Sequence, residues 1–229
     1  MMSKPFISIS IRKLVISLLL LISASASAQL KFFSIQKDSI PFFRGFAVSF
    51  DVVGLAMMEL SDYGQYEGAL RINLHDEWFP IVELGYGKAS HTDDPVTQIR
   101  YETAAPYFRI GIDKNLLKEK HGPYRLYAGL RYAFTSYKVD VSRDTFDDPV
   151  WLWDTSFGVK DDQCSYHWLE IALGADATIW GPLHLGWSVR YKRRIAHKEG
   201  ALDNTWYVPG FGVYGDTRLG GTFNVIIDI

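Results

Sequence analysis

Cysteine occurs once in the 229 residues, at Cys164, so no internal disulfide can form and no thiolate cluster can hold a metal. Beyond residue 28 no apolar run reaches the roughly 20 residues that a membrane helix needs. The sequence also contains no G-x-S-x-G, no H-E-x-x-H, no P-loop and no paired C-x-x-C. With these absent, the sequence nominates no catalytic residue, no metal ligand and no cofactor. Charge of one sign is scarce too. The chain has 24 Lys+Arg and 26 Asp+Glu, and three of the bases but none of the acids fall within residues 1–28. The remainder carries 21 bases against 26 acids, a net −5, which argues against nucleic acid as a partner.

The amino end is present in full legibility. Lys4, Arg12 and Lys13 precede the apolar run from Leu14 to Ile22, and "SASASAQ" follows. Basic, apolar and small-residue segments in that order predict a secretory signal over residues 1–28, cleaved after Ala28 at Ala26-Ser27-Ala28. Export of this kind predicts a periplasmic segment over 29–42 and a barrel over 43–229.

Alternation of apolar and polar residues recurs eight times after residue 42. In "TRLGGTFNVIIDI" (217–229), Leu219, Gly221, Phe223, Val225, Ile227 and Ile229 alternate with Gly220, Thr222, Asn224, Ile226 and Asp228. In "RGFAVSFDVVGL" (44–55), Phe46, Val48, Phe50 and Val52 alternate with Ala47, Ser49 and Asp51. Six further segments behave alike, and period two marks a strand with unlike faces. The polar rows are built of Gly, Ala, Ser and Thr with charges of both signs. The acids are Asp51, Glu67, Glu83, Asp113, Glu170, Asp176 and Asp228; the bases are Arg71, Arg109, Arg131 and Arg190. Small residues with arginines and carboxylates suit a narrow interior where charges must pair. A soluble eight-stranded barrel of lipocalin type would carry its polar face outward instead. Connections alternate long and short, with brief turns at 75–78, 116–123 and 180–182. The prediction is an all-β, eight-stranded antiparallel up-and-down transmembrane β-barrel, with short periplasmic turns and long extracellular loops. An even strand count puts both ends on the periplasmic side, and the last strand must pair with the first, because an open edge is unsatisfied in lipid.

Aromatic residues near strand ends, namely Trp78 with Phe79, Tyr124, Tyr166 with Trp168, and Trp180, read as interfacial girdles. The run "RYKRR" (190–194) places Lys192, Arg193 and Arg194 at the extracellular rim, a basic set suited to lipopolysaccharide phosphates. Ser188, His184 and Glu170 are the residue types of a lipid-modifying barrel enzyme. However, positions four apart in a strand lie roughly 13 Å apart along it, too far for direct hydrogen bonding. The acid pairs Asp93-Asp94, Asp147-Asp148 and Asp161-Asp162 have no regular ligand spacing, which favours solvated loop tips over a divalent-ion site. Trp151, Trp153, Trp206 and Tyr207 in the longest loops would form either a ligand patch or loop packing above the rim.

The stretches "WGPLHLGWSVRYKRR", "FPIVELGYGKA", "APYFRIGIDKNLL", "YRLYAGLRYAFTSY" and "RLGGTFNVIIDI" resemble a small outer-membrane protein family of Bacteroides-type bacteria. The resemblance spans nearly the whole chain after the signal. It implies an outer-membrane barrel without assigned activity and brings no catalytic residues. The architecture is similar to barrels of the OmpA and OmpX type. Arg218, Gly220, Phe223 and Val225 resemble the signal that bacterial barrels carry in their last strand, which implies the barrel assembly machinery as a partner in biogenesis. Ile229 stands where that pattern usually has an aromatic. The expected partners are thus outer-membrane lipid and lipopolysaccharide. The leading expectation is a non-enzymatic structural or surface-binding barrel, with a small transport conduit and a lipid A-modifying enzyme as alternatives.

Overall fold

Period-two segments become strands, and the strands close into a ring. The structure is a computed structural model that describes residues 39–92, 99–147, 154–198, 200–201 and 205–229. The expected signal segment, residues 29–38, Asp93-Asp94, Asp148, Trp151 and Trp153 lie outside the described residues. The strands are β1 (Phe43–Asp51), β2 (Tyr63–Leu74), β3 (Trp78–His91), β4 (Ile99–Asn115), β5 (Tyr124–Asp147), β6 (Asp154–Trp180), β7 (Leu183–Lys198) and β10 (Thr217–Asp228). They close in the order β1-β10-β7-β6-β5-β4-β3-β2, all neighbours antiparallel. The fold is therefore all-β, an up-and-down barrel of eight strands. Ile229 N donates to Phe46 O at 2.7 Å across the seam, so the last strand meets the first as its alternation requires.

Side chains follow the alternation. Leu84, Leu130, Ile171, Leu173, Phe223 and Ile227 face outward and are exposed, while Glu83, Arg109, Arg131, Ala133, Glu170 and Ala172 face inward and are buried. Three of the expected girdle aromatics do not face outward. Phe79, Tyr166 and Trp168 are buried inside the barrel. Their parity decides it: Trp168 shares the inward row of Glu170 and Ala172, and Phe79 that of Ile81 and Glu83. Trp180 and Tyr124 do project outward at the short-turn end, and Trp78 stacks under Lys114 Nζ at 4.7 Å.

Strand boundaries differ from expectation at the long-loop end. β5 and β6 continue well past the apolar alternation, to Asp147 and from Asp154. Sequence such as "SRDTFD" carries a single apolar residue, Phe146, so its pairing left no alternation to read. The first connection differs more. The strand expected to include Val52 stops at Asp51, and Val52–Leu60 forms the helix α1. Adjacent apolar residues at Val52 and Val53 end the period of two. Asp51 then caps the helix, its carboxylate accepting from Val53 N and Gly54 N, both at 3.1 Å. Glu59 is the only charge in "VVGLAMMEL". A Cβ on Gly64 would lie 2.3 Å from Met58 N, so α1 rests directly on the β2 backbone. Among the described residues no helix is long and apolar enough to cross a membrane. The remaining short strands, β8 (Tyr207–Val208) and β9 (Gly212–Val213), pair only with each other.

Glycines on the inward rows make room for ionic side chains. A Cβ on Gly129 would sit 1.8 Å from Asp113 Oδ1, and one on Gly186 would sit 2.1 Å from Asp176 Oδ1. Gly129→Ala is expected to lower stability by about 1–3 kcal/mol, the usual cost of overpacking. Equilibrium urea unfolding checks this, and an unchanged midpoint would contradict the inward placement of Asp113.

Candidate functional site

The middle of the lumen is a continuous ionic cluster. Arg109 comes from β4, Arg131 from β5 and Arg190 from β7, and all three converge on carboxylates from β2, β3 and β6. Arg109 pairs with Glu67 and reaches Glu83 Oε2 at 3.3 Å, while its Nε donates to Glu170 Oε1 at 2.9 Å. Arg190 Nη1 lies 3.0 Å from Glu67 Oε1 and 2.9 Å from Glu83 Oε2. Arg131 joins Glu83 Oε1 at 2.9 Å to Asp113 Oδ2 at 3.0 Å. Arg71 extends the chain toward the short-turn end, 3.8 Å from Asp113 Oδ2 and 2.7 Å from Asp176 Oδ2. These nine residues are four arginines and five carboxylates, all buried. Of the sequence-nominated interior set, two stand apart from the cluster. Asp51 caps α1, and Asp228 meets His184 Nε2 at 2.9 Å at the half-open lower rim.

Neutral groups complete the cluster. Tyr107 Oη donates to Glu67 Oε2 at 2.6 Å and Trp168 Nε1 to Glu170 Oε1 at 2.6 Å. The Tyr107 ring lies 4.5 Å from the Arg109 guanidinium, and Gly85 opposite it has no Cβ to block the ring. Sequence reading passed over Tyr107, Arg125 and the inward Trp168, although all three occupy inward-row parities. A cavity of about 10 Å³ among Glu67, Arg71, Glu83, Arg131 and Arg190 is at the lower limit for one water molecule.

Above the ions the β8–β9 hairpin folds into the barrel mouth. Tyr207, Val208 and Phe211 are buried there against Tyr101, Tyr107, Tyr166 and Trp168. Arg109 Nη2 donates to Gly210 O at 2.7 Å, tying the hairpin to the ionic floor. Trp206 packs on Tyr63, His91 and Tyr101 with ring centroids 5.9, 5.4 and 5.6 Å away. For Trp206 and Tyr207 the geometry is therefore that of a packed loop.

The expected basic rim divides three ways. Lys192 turns inward and its Nζ donates to Gly210 O at 2.7 Å and Phe211 O at 3.2 Å, because its even parity puts it on the row of Ser188 and Arg190. Arg194 is tied to Asp216 and donates to Tyr214 Oη at 2.9 Å. Arg193 alone of the three faces outward and is exposed.

Ser188, His184 and Glu170 are not brought together. Ser188 Oγ lies 2.7 Å from Thr222 Oγ1, His184 Nδ1 lies 3.0 Å from Thr178 Oγ1, and Glu170 serves Arg109 and Trp168. Asp161 pairs with Lys138 at 2.9 Å, and Asp162 Oδ1 accepts from Ala201 N at 2.8 Å. Among the described residues no group of three or more His, Cys, Asp or Glu side chains is placed to hold a metal.

A family model described as "Domain of unknown function (DUF6048)" matches residues 6–228. The chain belongs to the DUF6048 family. No curated protein matches this DUF6048 chain. Two solved structures are similar to it. One is Ail, the attachment invasion locus protein of Yersinia pestis, solved in complex with the heparin analogue sucrose octasulfate. It is 12% identical and has a TM-score of 0.37, over 80% of this chain and 93% of that one. The other is CarO of Acinetobacter baumannii, 13% identical with a TM-score of 0.38, over 83% of this chain and 98% of that one.

The turn between β2 and β3 shows how the DUF6048 barrel holds its lower end. His75 and Asp76 are both left-handed, with φ of 60° and 56°, which is costly for residues other than glycine. Side-chain bonds offset that cost. Asp76 N donates to Asn73 Oδ1 at 2.8 Å, and the Asp76 carboxylate takes Asn73 Nδ2 at 2.6 Å, His121 Nδ1 at 2.7 Å and Arg44 Nε at 3.3 Å. Burial alone would raise the Asp76 carboxyl. The bonds from His121 and Asn73 and the charge of Arg44 outweigh it and hold the group below the usual carboxylate range.

A group held low in the folded state stabilises above its unfolded pKa and loses that contribution as pH falls through the lowered value. Asp76→Asn is therefore expected to flatten the acid limb of stability plotted against pH, and denaturation at stepped pH measures it. Arg131→Ala leaves Glu83 and Asp113 short of a buried partner and should cost about 3–5 kcal/mol. Arg193→Ala, at an exposed site, should stay within about 0.5 kcal/mol in the same unfolding assay. Equal losses in the two variants would contradict the assignment of faces.

Proposed function

We propose that the protein is a non-enzymatic outer-membrane barrel, exported by its 1–28 signal, with a structural or surface-binding role exercised through its long-loop end. The observation that carries this is inverted polarity. Buried ions fill the inside, while an uninterrupted apolar belt, with Leu84, Leu130, Ile171 and Leu173 each more than half exposed, covers the outside. A soluble protein rarely exposes an apolar surface beyond a few hundred Å². Lipid acyl chains are the solvent that belt fits; β1 has nine residues and the other seven strands 12 or more, against the 9–11 needed to span. Short turns then face the periplasm and long loops the exterior. The barrel assembly machinery would insert it.

The ionic cluster and the hairpin above it disfavour a conduit. Eight strands leave an interior that side chains can fill, and at mid-barrel the ionic residues fill it to within about 10 Å³. What remains for contact is the outer wall and the loop end. Arg193 faces outward at the level of Leu169 and Thr217, where a phosphate of lipopolysaccharide would meet it.

Cell fractionation and gel migration with and without boiling test the placement. The folded barrel is expected in the outer-membrane fraction and with heat-modifiable mobility; recovery as a soluble protein would end the proposal. In planar bilayers the purified barrel should give no stepwise conductance, whereas regular steps would favour the conduit.

A further inference from the structure

The barrel wall is incomplete on one side. β1 pairs with β10 only from Ala47↔Asp228 to Asp51↔Asn224, yet β10 continues to Thr217. β2 likewise runs on to Tyr63 beyond its last partner in β1, Phe50↔Gly68. From Phe223 toward Thr217 no strand among the described residues lies opposite β10 on this side; α1 packs there instead. Asp51 Oδ1 accepts from Phe223 N at 3.2 Å, the last bond before the gap. By strand parity the N–H and C=O groups of Gly221 and Leu219 are aimed into the same gap.

Behind it lies a cavity of about 360 Å³, within the range of small-ligand sites, roughly 300–1,000 Å³. Its walls have two characters. Val53 and Met57 of α1, Phe211 and Val213 of the hairpin, and Leu219 of β10 make one side apolar. Arg109, Arg190, Lys192 and Arg218 make the other cationic, against the single carboxylate of Asp51, which is already committed to the helix cap and Phe223. Arg109 and Arg190 have their acids below. Lys192 has Glu170 near it but forms no ion pair with it, and Arg218 forms none among the described residues. They are direct cross-strand partners in β7 and β10, an arrangement that like charges disfavour. Their printed bonds are to carbonyls only, Lys192 to Gly210 and Phe211 and Arg218 Nε to Val213 at 3.2 Å. Among the described residues neither has a carboxylate within ion-pair distance. Glu170, the register neighbour of Lys192 in β6, is held by Arg109 and Trp168. Lys192 is 6% exposed and Arg218 is half-buried, and both line the cavity.

We infer that this cavity binds an amphiphilic anion, an alkyl chain with a carboxylate or phosphate head, which reaches it sideways between α1 and β10. The head lies at Lys192 and Arg218, where spare N–H donors and two cations outside any ion pair meet it. The chain lies along Val53, Met57 and Leu219. The apolar helix suits that gap, since Val53 borders the cavity and is 39% exposed to the outside. Only the sideways route rests on the membrane placement proposed above; fractionation tests that placement, and binding in micelles tests the cavity separately.

The probe is dansyl-undecanoic acid, followed by fluorescence with the full folded barrel in nonionic maltoside micelles. Dodecanoate and dodecyl phosphate are expected to displace it, and the stronger of the two identifies the head. Dodecanol, dodecyltrimethylammonium and inorganic phosphate should displace it at least tenfold less well. Arg218→Gln should weaken binding about tenfold, the scale of one lost hydrogen bond to a charge. Met57→Trp, which fills the cavity from α1, should abolish it. Heat-modifiable migration verifies that each variant is folded, and the two lesions strike different walls, so loss of one fold leaves the other as the test. Equal displacement by dodecyltrimethylammonium, equal displacement by inorganic phosphate, or wild-type affinity in the folded variants would overturn the inference.

Discussion

Three carboxylates, Glu67, Glu83 and Glu170, are shared among three arginines at the centre of the barrel, and the rest of the molecule is arranged so that this sharing can persist. An arginine or a glutamate alone in that space would carry a desolvation cost of several kcal/mol. Each one instead meets at least two opposite charges, and Tyr107 and Trp168 add hydrogen bonds to the same Glu67 and Glu170 oxygens that Arg109 engages. The inward glycines follow from this demand, since Gly129 and Gly186 leave the volume that Asp113 and Asp176 occupy. The β8–β9 hairpin follows from it as well. Gly210 O accepts from both Arg109 and Lys192, so the cap is held by the same cations that it shields from water.

Polarity in the lumen is layered along the axis. At the short-turn end Asp228 is half-open, while Asp76 is buried beneath Arg44 and His121. The middle is ionic and buried. Above it lies an aromatic layer in which Tyr166 and Trp168 enclose Phe211, with ring centroids 4.8 and 5.7 Å apart. An aromatic layer above an ionic one lowers the effective dielectric around the charges, which strengthens correct pairs and penalises incorrect ones. The hairpin thereby helps to select one arrangement of the cluster.

Strand parity explains what was legible in the sequence. Where one face is apolar and the other ionic, each residue's side is decided by counting in twos, and the inward charges could be named without coordinates. The same count placed Trp168, Tyr166 and Lys192 inside. They were nevertheless expected at interfaces, because residue type was weighted above position. Parity has nothing to say where apolar residues are sparse, which is why β5 and β6 run longer than their alternation. It is equally silent on a segment that is apolar on all sides, and α1 is one: "VVGLAMMEL" reads as a strand remnant until Asp51 is recognised as a helix cap. The inward folding of the β8–β9 hairpin had no local signal, since it depends on a carbonyl, that of Gly210, meeting side chains from β4 and β7.

Asp51 is where the two halves of the design meet. Below it, β1 closes the ring by backbone pairing and no opening exists. At Asp51 the chain leaves the sheet, and one carboxylate replaces the lost ladder by accepting from Val53, Gly54 and Phe223. A continued β1 would have sealed the wall and left Lys192 and Arg218 facing each other in a closed space, a like-charge pair. Replacing the upper half of that strand with a helix removes the seal at the same height as these cations. The gap therefore opens beside the two cations because the first strand ends below the level of their pairing.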